Sequence, residues 1–502
     1  MQKLFKQILT SRVYEAAIET PLEEALCLSS QLENRVLLKR EDLQPIFSFK
    51  LRGAYNRIAH LNDQQKAAGV ITASAGNHAQ GVAFSGKKLG LRTVIVMPLT
   101  TPEIKVNAVR NFGAEIVLHG DNFSEAAEHC AALVRQTGLT FVPPFDDELV
   151  IAGQGTIADE ILRQSAGQIN AVFVPVGGGG LLAGMAVFLK TLRPDIKIVG
   201  VEPVDSAAMA RSLEVGKRVK LDSVGIFADG VAVRQVGKLT FELCRKLVDE
   251  IVLVDVDEIC SGIKSIYQAT RSIVEPAGGL ALAGLKKYVR QQKVVGETLV
   301  AINSGANLNF DRLRYVAERT LIGEKQEALF AVTIPEEPGA LRRFCKSVVG
   351  NRNITEFNYR LSGRNEAQIF VGISINGEKE RFSFQEILKE NGFANVDLTD
   401  NELAKTHVRY MVGGRSPLVC NERLFRFWFP ERPGALARFL QTMGADWNIS
   451  LFHYRMQGGD FGRVLIGLEI PDNQNKVLKN FLSQLGYRYI EETENEAYRL
   501  FL

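Results

Sequence analysis

Lys50 stands in the run Ser48-Phe49-Lys50-Leu51-Arg52-Gly53-Ala54, a lysine set among apolar and small neighbours. A protonated lysine amine is a poor nucleophile, and partial desolvation lowers its pKa until it can condense with an aldehyde as an imine. Most lysines are solvated surface charges, so what this one does depends on its companions. The next chemical segment is Ser74-Ala75-Gly76-Asn77-His78-Ala79-Gln80-Gly81, which follows the strand-like Gly69-Val70-Ile71-Thr72-Ala73 and opens a helix running toward Leu89-Gly90. Small residues let backbone N–H groups approach a ligand, and a helix N-terminus favours an anion. Ser74, Gly76, Asn77 and His78 are therefore candidate binding residues, Ser74 for a carboxylate and Asn77 beside a ring. An ordinary strand-to-helix turn reads the same way, and His78 is equally a satisfied first-turn histidine.

A second strand-like run, Ala171 to Val176, leads into Gly177-Gly178-Gly179-Gly180 and the helical Leu181-Leu182-Ala183-Gly184-Met185. Glycines at a helix N-terminus expose bare N–H groups that cradle a phosphate. The uncharged stretch from Ala171 to Leu189 resembles a membrane span, but Pro175 and the glycines break it. Gly178-x-Gly180-x-x-Ala183 also satisfies a dinucleotide fingerprint, with Glu202 ending the next strand, Ile196 to Val201, where a ribose-binding acid sits. This unit alone does not choose between a nicotinamide and a pyridoxal cofactor.

The choice comes from Asn303-Ser304-Gly305-Ala306-Asn307, after the strand-like Thr298 to Ile302. A small hydroxyl there can hydrogen-bond a pyridine nitrogen. The ordered set Ser-Phe-Lys-x-Arg-Gly, Ser-Ala-Gly-Asn-His, Gly-Gly-Gly-Gly-Leu and Ser-Gly-Ala-Asn resembles the fold type II pyridoxal-phosphate enzymes, and among them the threonine dehydratases. The resemblance covers Thr20-Pro21-Leu22 through Arg319. It implies that Lys50 carries the cofactor, Asn77 contacts the ring hydroxyl, Gly177 to Leu181 bind the phosphate and Ser304 faces the ring nitrogen. It further implies that Lys50 acts as general base at Cα of a β-hydroxy amino acid, and that a neutral Ser304 favours elimination over transamination. Arg52 reads either as steering an anion or as a helix-surface ion pair, and Glu275 in Val274-Glu275-Pro276-Ala277-Gly278-Gly279 either lines the pocket or caps a helix.

These loops need a scaffold that brings them to one place. Strands and helices alternate through about the first 320 residues, which predicts a parallel sheet covered by helices with its ligand loops at the carboxyl ends of strands. The 502 residues suit about three domains, and 46% hydrophobic residues give ample cores. A net charge of +3, without basic clusters interleaved with aromatics, points to small-molecule ligands and away from nucleic acid. The six cysteines, Cys27, Cys130, Cys244, Cys260, Cys345 and Cys420, have no metal-ligand spacing and read as reduced thiols of a cytosolic protein. Met1 to Thr20 reads as an amphipathic helix carrying Glu15 and Glu19, without a secretory or transit signature.

After Arg319 the character changes, with Gly323 to Glu327 as a polar linker. Phe330-Ala331-Val332-Thr333-Ile334-Pro335-Glu336-Glu337-Pro338-Gly339-Ala340-Leu341 aligns with Phe425-Arg426-Phe427-Trp428-Phe429-Pro430-Glu431-Arg432-Pro433-Gly434-Ala435-Leu436, 95 residues on. The register persists from Asn353-Ile354, Phe357 and Tyr359-Arg360 to Asn448-Ile449, Phe452 and Tyr454-Arg455. Each copy reads strand, helix, two strands, helix and strand, the split βαβ pattern of a ferredoxin-like module. In the first copy the helix is Ala340 to Val349, the middle strands are Ile354 to Arg360 and Ala367 to Ile375, and the second helix surrounds Glu386 to Glu390. The pair resembles the ACT-like regulatory domains of biosynthetic threonine dehydratases. That resemblance implies isoleucine as inhibitor, valine as its antagonist, a homotetramer, and an effector site for which Leu436, Leu440, Phe452 and Tyr454 are the candidates.

The expected layout is a catalytic domain over 1–322, a linker over 323–329, modules over 330–400 and 421–495, and a connector over 401–420. The expected reaction takes L-threonine, with L-serine as a second substrate, to a 2-oxo acid and ammonia, with no metal and no membrane. The rival readings are a serine dehydratase or racemase of the same fold, a nicotinamide oxidoreductase, and an amino-acid-binding regulator with a dead catalytic half.

Overall fold

The computed structural model describes the chain except residues 166, 336–339, 351, 360–365, 412–418, 420, 431–434, 444–446 and 456–460; the side chains of 341, 342, 359, 436, 437, 440, 454 and 455 also lie outside the described residues. The chain divides into two compact units, Met1–Ala317 and Glu318–Leu502.

The first unit holds two sheets. The larger has six strands in the order Leu22–Glu24, Arg35–Arg40, Thr298–Asn303, Ala171–Pro175, Lys197–Pro203 and Glu250–Val254, all parallel except the short first one. Its strands are apolar on consecutive residues because both faces are covered. Along Thr298–Asn303, Leu299 and Ala301 pack with Phe173 and the helix Pro276–Gln292, while Val300 and Ile302 pack with Val172, Val174 and the helices Glu148–Gln164 and Gly180–Leu192. The smaller sheet is parallel, in the order Glu115–Leu118, Thr93–Met97, Val70–Ala73 and Thr140–Phe141. Helices Lys50–Ala59 and Asn77–Leu89 supply one of its two cores.

The second unit is built from two four-stranded antiparallel sheets of the same strand order. One is Ile354–Tyr359, Glu366–Ser374, Glu327–Pro335 and Asn395–Asp397; the other is Asn448–Arg455, Phe461–Glu469, Glu422–Pro430 and Tyr489–Glu491. The duplication extends to detail. Ile354–Tyr359 and Asn448–Arg455 are irregular at the matching place, Ile354/Glu356 and Ile449/Leu451, and a Cβ on the facing Gly372 or Gly467 would press on the hydroxyl of Thr355 or Ser450.

Several local expectations change. The N-terminal helix is only Gln2–Leu9, and Glu15 and Glu19 lie beyond it. Thr10 to Arg12 is polar, so the apolar stripe of Leu4 and Ile8 ends there. Gly323 closes the helix Arg312–Gly323 and Glu327 already begins a strand, so the polar stretch between carries only 324–326 outside regular structure. The helix expected over Ala340 to Val349 is α-helical to Phe344 and then widens into a π turn, Cys345–Val349. Of the six cysteines, Cys420 lies outside the described residues, and the other five are free thiols. Among the described residues no helix is long and apolar enough to cross a membrane.

Candidate active site

Lys50 begins the helix Lys50–Ala59, immediately after a bridge that pairs Ser48 with Gly305. The preceding Phe47 has φ +56°, a strained left-handed conformation that turns the chain toward this bridge. The Lys50 Nζ donates to the Pro144 carbonyl at 3.1 Å. Desolvation lowers its pKa to about 8, against an opposing pull from Glu275, so a useful fraction of the amine is neutral near physiological pH.

Pro144 leads to Phe145, which packs on the glycine run: a Cβ on Gly178 would meet the phenyl ring at 2.2 Å, and one on Gly180 would meet the Phe145 carbonyl at 3.1 Å. Gly179 has φ +92° and forms the N-cap of Gly180–Leu192, whose first-turn N–H groups have no intrahelical acceptor. One dipeptide therefore bridges the lysine amine to the bare N-terminus.

Asn77 begins the helix Asn77–Leu89, and a Cβ on Gly81, one turn along, would meet the Lys50 carbonyl at 3.2 Å. Asn77 Nδ2 donates to Glu275 Oε1 at 2.6 Å, and its Oδ1 accepts from Asn307 Nδ2 at 2.6 Å. Burial, reinforced by nearby Asp229, raises the Glu275 carboxyl to about 7. Burial would also raise Asp229, but Lys105 at 2.6 Å and Arg312 at 3.6 Å outweigh it and hold that carboxyl near 2. The buried Ser304 donates to the Ala277 carbonyl at 3.1 Å, and its own carbonyl accepts from Phe49 N–H at 3.2 Å. Ser74 Oγ accepts from Gly76 N–H at 3.3 Å.

The fold thus gathers Lys50, Asn77, the glycine run and Ser304 through shared neighbours at the carboxyl ends of strands. His78 is a buried histidine whose Nε2 lies 2.9 Å from the Val142 carbonyl, which requires the proton on Nε2. Burial first, then the charge of Lys50, lowers its pKa to about 3 and keeps the ring neutral.

Arg52 corrects a sequence expectation. It is not a surface cation, and the anions it meets are the protein's own: fully buried, it pairs with Glu41 at 2.7 Å and with Glu160 at 2.6 Å, and Lys39 joins Glu160 at 2.6 Å. Glu202 lies inside its strand and caps the following helix, accepting from Met209 and Ala210 N–H at 2.8 Å each. That use leaves it no ribose to hold. Glu275 makes no cap hydrogen bond and turns to Asn77 instead.

Pro144, Phe145, Asp229 and Lys105 were not legible from sequence; a Pro-Pro pair such as Pro143-Pro144 signals a turn and no chemistry. In the second unit, Phe452 is an exposed residue of Asn448–Arg455. The side chains of Leu436, Leu440 and Tyr454 lie outside the described residues.

Residues 13–305 match the family of pyridoxal-phosphate dependent enzymes, and 318–408 and 414–502 match the C-terminal regulatory domain of threonine dehydratase. The biosynthetic L-threonine dehydratase IlvA of Burkholderia multivorans is 57% identical over 500 residues, covering 99% of this chain and 98% of that protein. The chain belongs to the biosynthetic threonine dehydratases. The chain is also similar to the processed form of threonine deaminase isoform 2 from Solanum lycopersicum, with TM-score 0.62 and 51% identity over 63% of this chain and 87% of that one. Maize serine racemase is similar at TM-score 0.59 and 30% identity, over 64% of this chain and 97% of that one.

The family's cofactor is pyridoxal phosphate, and the residues here fit it. A desolvated amine suits an aldehyde, glycines at a helix N-terminus suit a phosphate dianion, and a neutral hydroxyl at Ser304 suits a pyridine nitrogen.

Proposed function

We propose that this threonine dehydratase converts L-threonine to 2-oxobutanoate and ammonia, the first step toward isoleucine, and that isoleucine bound in the second unit inhibits it while valine opposes that effect. The observation that carries the catalytic reading is the Lys50 amine, depressed to about 8 and tied through Pro144-Phe145 to a glycine-lined helix N-terminus. The full-length match to a biosynthetic dehydratase carries the regulatory one.

In this reading the N–H groups of Gly177 to Leu181 would hold the phosphate, Asn77 would meet the ring hydroxyl, and the ring nitrogen would compete with the Ala277 carbonyl for the Ser304 hydroxyl proton. Bound pyridoxal phosphate supplies the sink for the electrons left when Cα loses its proton. Ser74, Gly76, Asn77 and the His78 backbone orient the substrate carboxylate at a helix N-terminus. Neutral His78 adds no charge beside Lys50, so the lysine amine stays free to take the Cα proton. The β-hydroxyl then leaves with a proton as water, and a second water hydrolyses the released enamine to the 2-oxo acid and ammonia.

A serine-directed dehydratase or racemase uses the same half. The racemase likeness covers 64% of this chain, whereas a separate regulatory match covers 318–408 and 414–502. A nicotinamide reading leaves Lys50 and Ser304 without purpose and has lost Glu202 to a helix cap. We place the active assembly as a homotetramer in the cytosol.

The test is the visible absorbance of the purified protein, followed by threonine addition and assay for 2-oxobutanoate, with Lys50→Ala as control. A yellow protein that makes oxo acid only with Lys50 present supports the reading, and a colourless protein that stays inert with added pyridoxal phosphate overturns it. Truncation after Glu327 tests regulation: continued inhibition of an active truncated enzyme by isoleucine removes the sensor role.

A further inference from the structure

Asn77 is held from both sides. Its Oδ1 accepts from Asn307, itself tied to the Ile46 carbonyl at 2.8 Å, and its Nδ2 donates to Glu275. This fixes which end of the amide is which, because the Ile46 carbonyl only accepts, so the Asn307 nitrogen it holds donates to Asn77 as well. Gly305 makes room for the carboxyl: a Cβ there would lie 2.6 Å from Glu275 Oε1. A Cβ on Gly230 would sit 3.6 Å from the same oxygen and 3.9 Å from Asn77 Nδ2. Nothing larger than glycine borders the carboxyl on these sides. We propose that Glu275 is a positioning residue that, through Asn77, sets how tightly a proton is held on the ring-oxygen side of the bound cofactor, with Asn307 fixing the amide that transmits the effect. This rests on the reading that Asn77 meets the ring hydroxyl.

The charged groups that act on Glu275 are Asp229, Lys105 and Arg312, and Glu275 in turn acts on Lys50. Asp229 is kept ionised by its two cations, so Glu275 is the carboxyl of the two whose charge changes near neutrality. When it ionises, releasing its proton to solvent, a negative charge appears one amide away from the ring. Negative charge opposes loss of a proton nearby.

The experiment titrates the visible absorbance of the cofactor-loaded full-length enzyme against pH, without substrate, in wild type, Glu275→Gln, Asn307→Ala and Asn77→Ala. The expected result is a midpoint lowered by about one unit or more in Glu275→Gln, a smaller lowering in Asn307→Ala, and a roughly tenfold weaker affinity of the Asn307→Ala apoprotein for pyridoxal phosphate. Unchanged midpoints in Glu275→Gln and Asn307→Ala, with Asn77→Ala shifted, overturn the proposal and leave Asn77 at the ring. Unchanged midpoints in all three remove Asn77 from the ring as well. If Glu275→Gln fails to fold, Asn307→Ala decides alone, since it leaves the carboxyl in place.

Discussion

The two units use buried charge differently. In the first, Arg52, Glu41, Glu160 and Lys39 form one fully buried network that occurs once, beneath the helix that starts at Lys50. In the second, Arg409 with Glu327 and Arg426 with Glu492 are likewise single buried pairs, but some polar contacts are duplicated. Glu327 accepts from Thr355 as Glu422 accepts from Ser450, and the N–H groups of Leu329 and Leu424 donate to Thr399 and Thr493. Where the copies part, Thr333 hydrogen-bonds Gln368, whereas the matching Trp428 lies under Arg463 and Arg488 at 4.5 and 4.4 Å. A site used once is built from groups with no spare. A sensor built from a duplicated module can keep its frame and vary one copy.

The sharpest break of the unique site is Lys50→Ala, expected to lower 2-oxobutanoate formation by at least about a thousandfold; a smaller loss moves the base elsewhere. Next is Arg52→Leu, which leaves the buried Glu41 without its paired cation and Glu160 with Lys39 alone, and is expected to cost about 3–5 kcal/mol, read by urea unfolding. Its pH signature has a sign. Burial raises Glu160, but Arg52 and Lys39 outweigh it and hold the carboxyl below its ordinary 4.5. The network's contribution is therefore present above that value and lost as pH falls through the lower folded one. Arg52→Leu should flatten that acid-side fall.

Smaller again is the pH dependence of cofactor capture. Only neutral Lys50 attacks an aldehyde, so the rate at which apoprotein takes up pyridoxal phosphate should climb about tenfold per pH unit below 8 and level off above it. A profile still rising well above 8 would show a solvated amine and undo the desolvation reading. Ser304→Asp should lower the ratio of elimination to side reactions, measured by product analysis; an unchanged ratio removes Ser304 from that choice.

How much was legible follows the same division. Lys50, Asn77, the glycine run and Ser304 announce themselves because each sits in a short stretch whose residue types have few other uses, and the 95-residue echo announces the modules. What the sequence hid was pairing across long separation. Arg52 looks like a helix-surface cation until Glu41 and Glu160, 108 residues away in the latter case, close on it. Glu202 fits a dinucleotide pattern until its strand runs on and its carboxyl turns to the next helix. Asn307 was quoted as part of a motif, but nothing in its neighbours says that it holds Asn77.

The smallest expected effect asks whether the repeat is energetic as well as geometric. Asn401 and Asn495 each cap the helix that follows their module, accepting from Ala404 and Ala497 N–H at 3.0 Å, and Asn401 Nδ2 also donates to Asn495 Oδ1 at 3.1 Å. The duplicated caps thus meet each other. Loss of either cap should cost about 1 kcal/mol, and if the copies are equivalent Asn401→Ala and Asn495→Ala should cost the same within a few tenths. Because the two side chains touch, the double variant should cost less than the sum of the singles, the shared hydrogen bond having been counted twice. Additive costs would mean that each module stands on its own cap. Unequal single costs would mean that divergence around Trp428 reaches the frame.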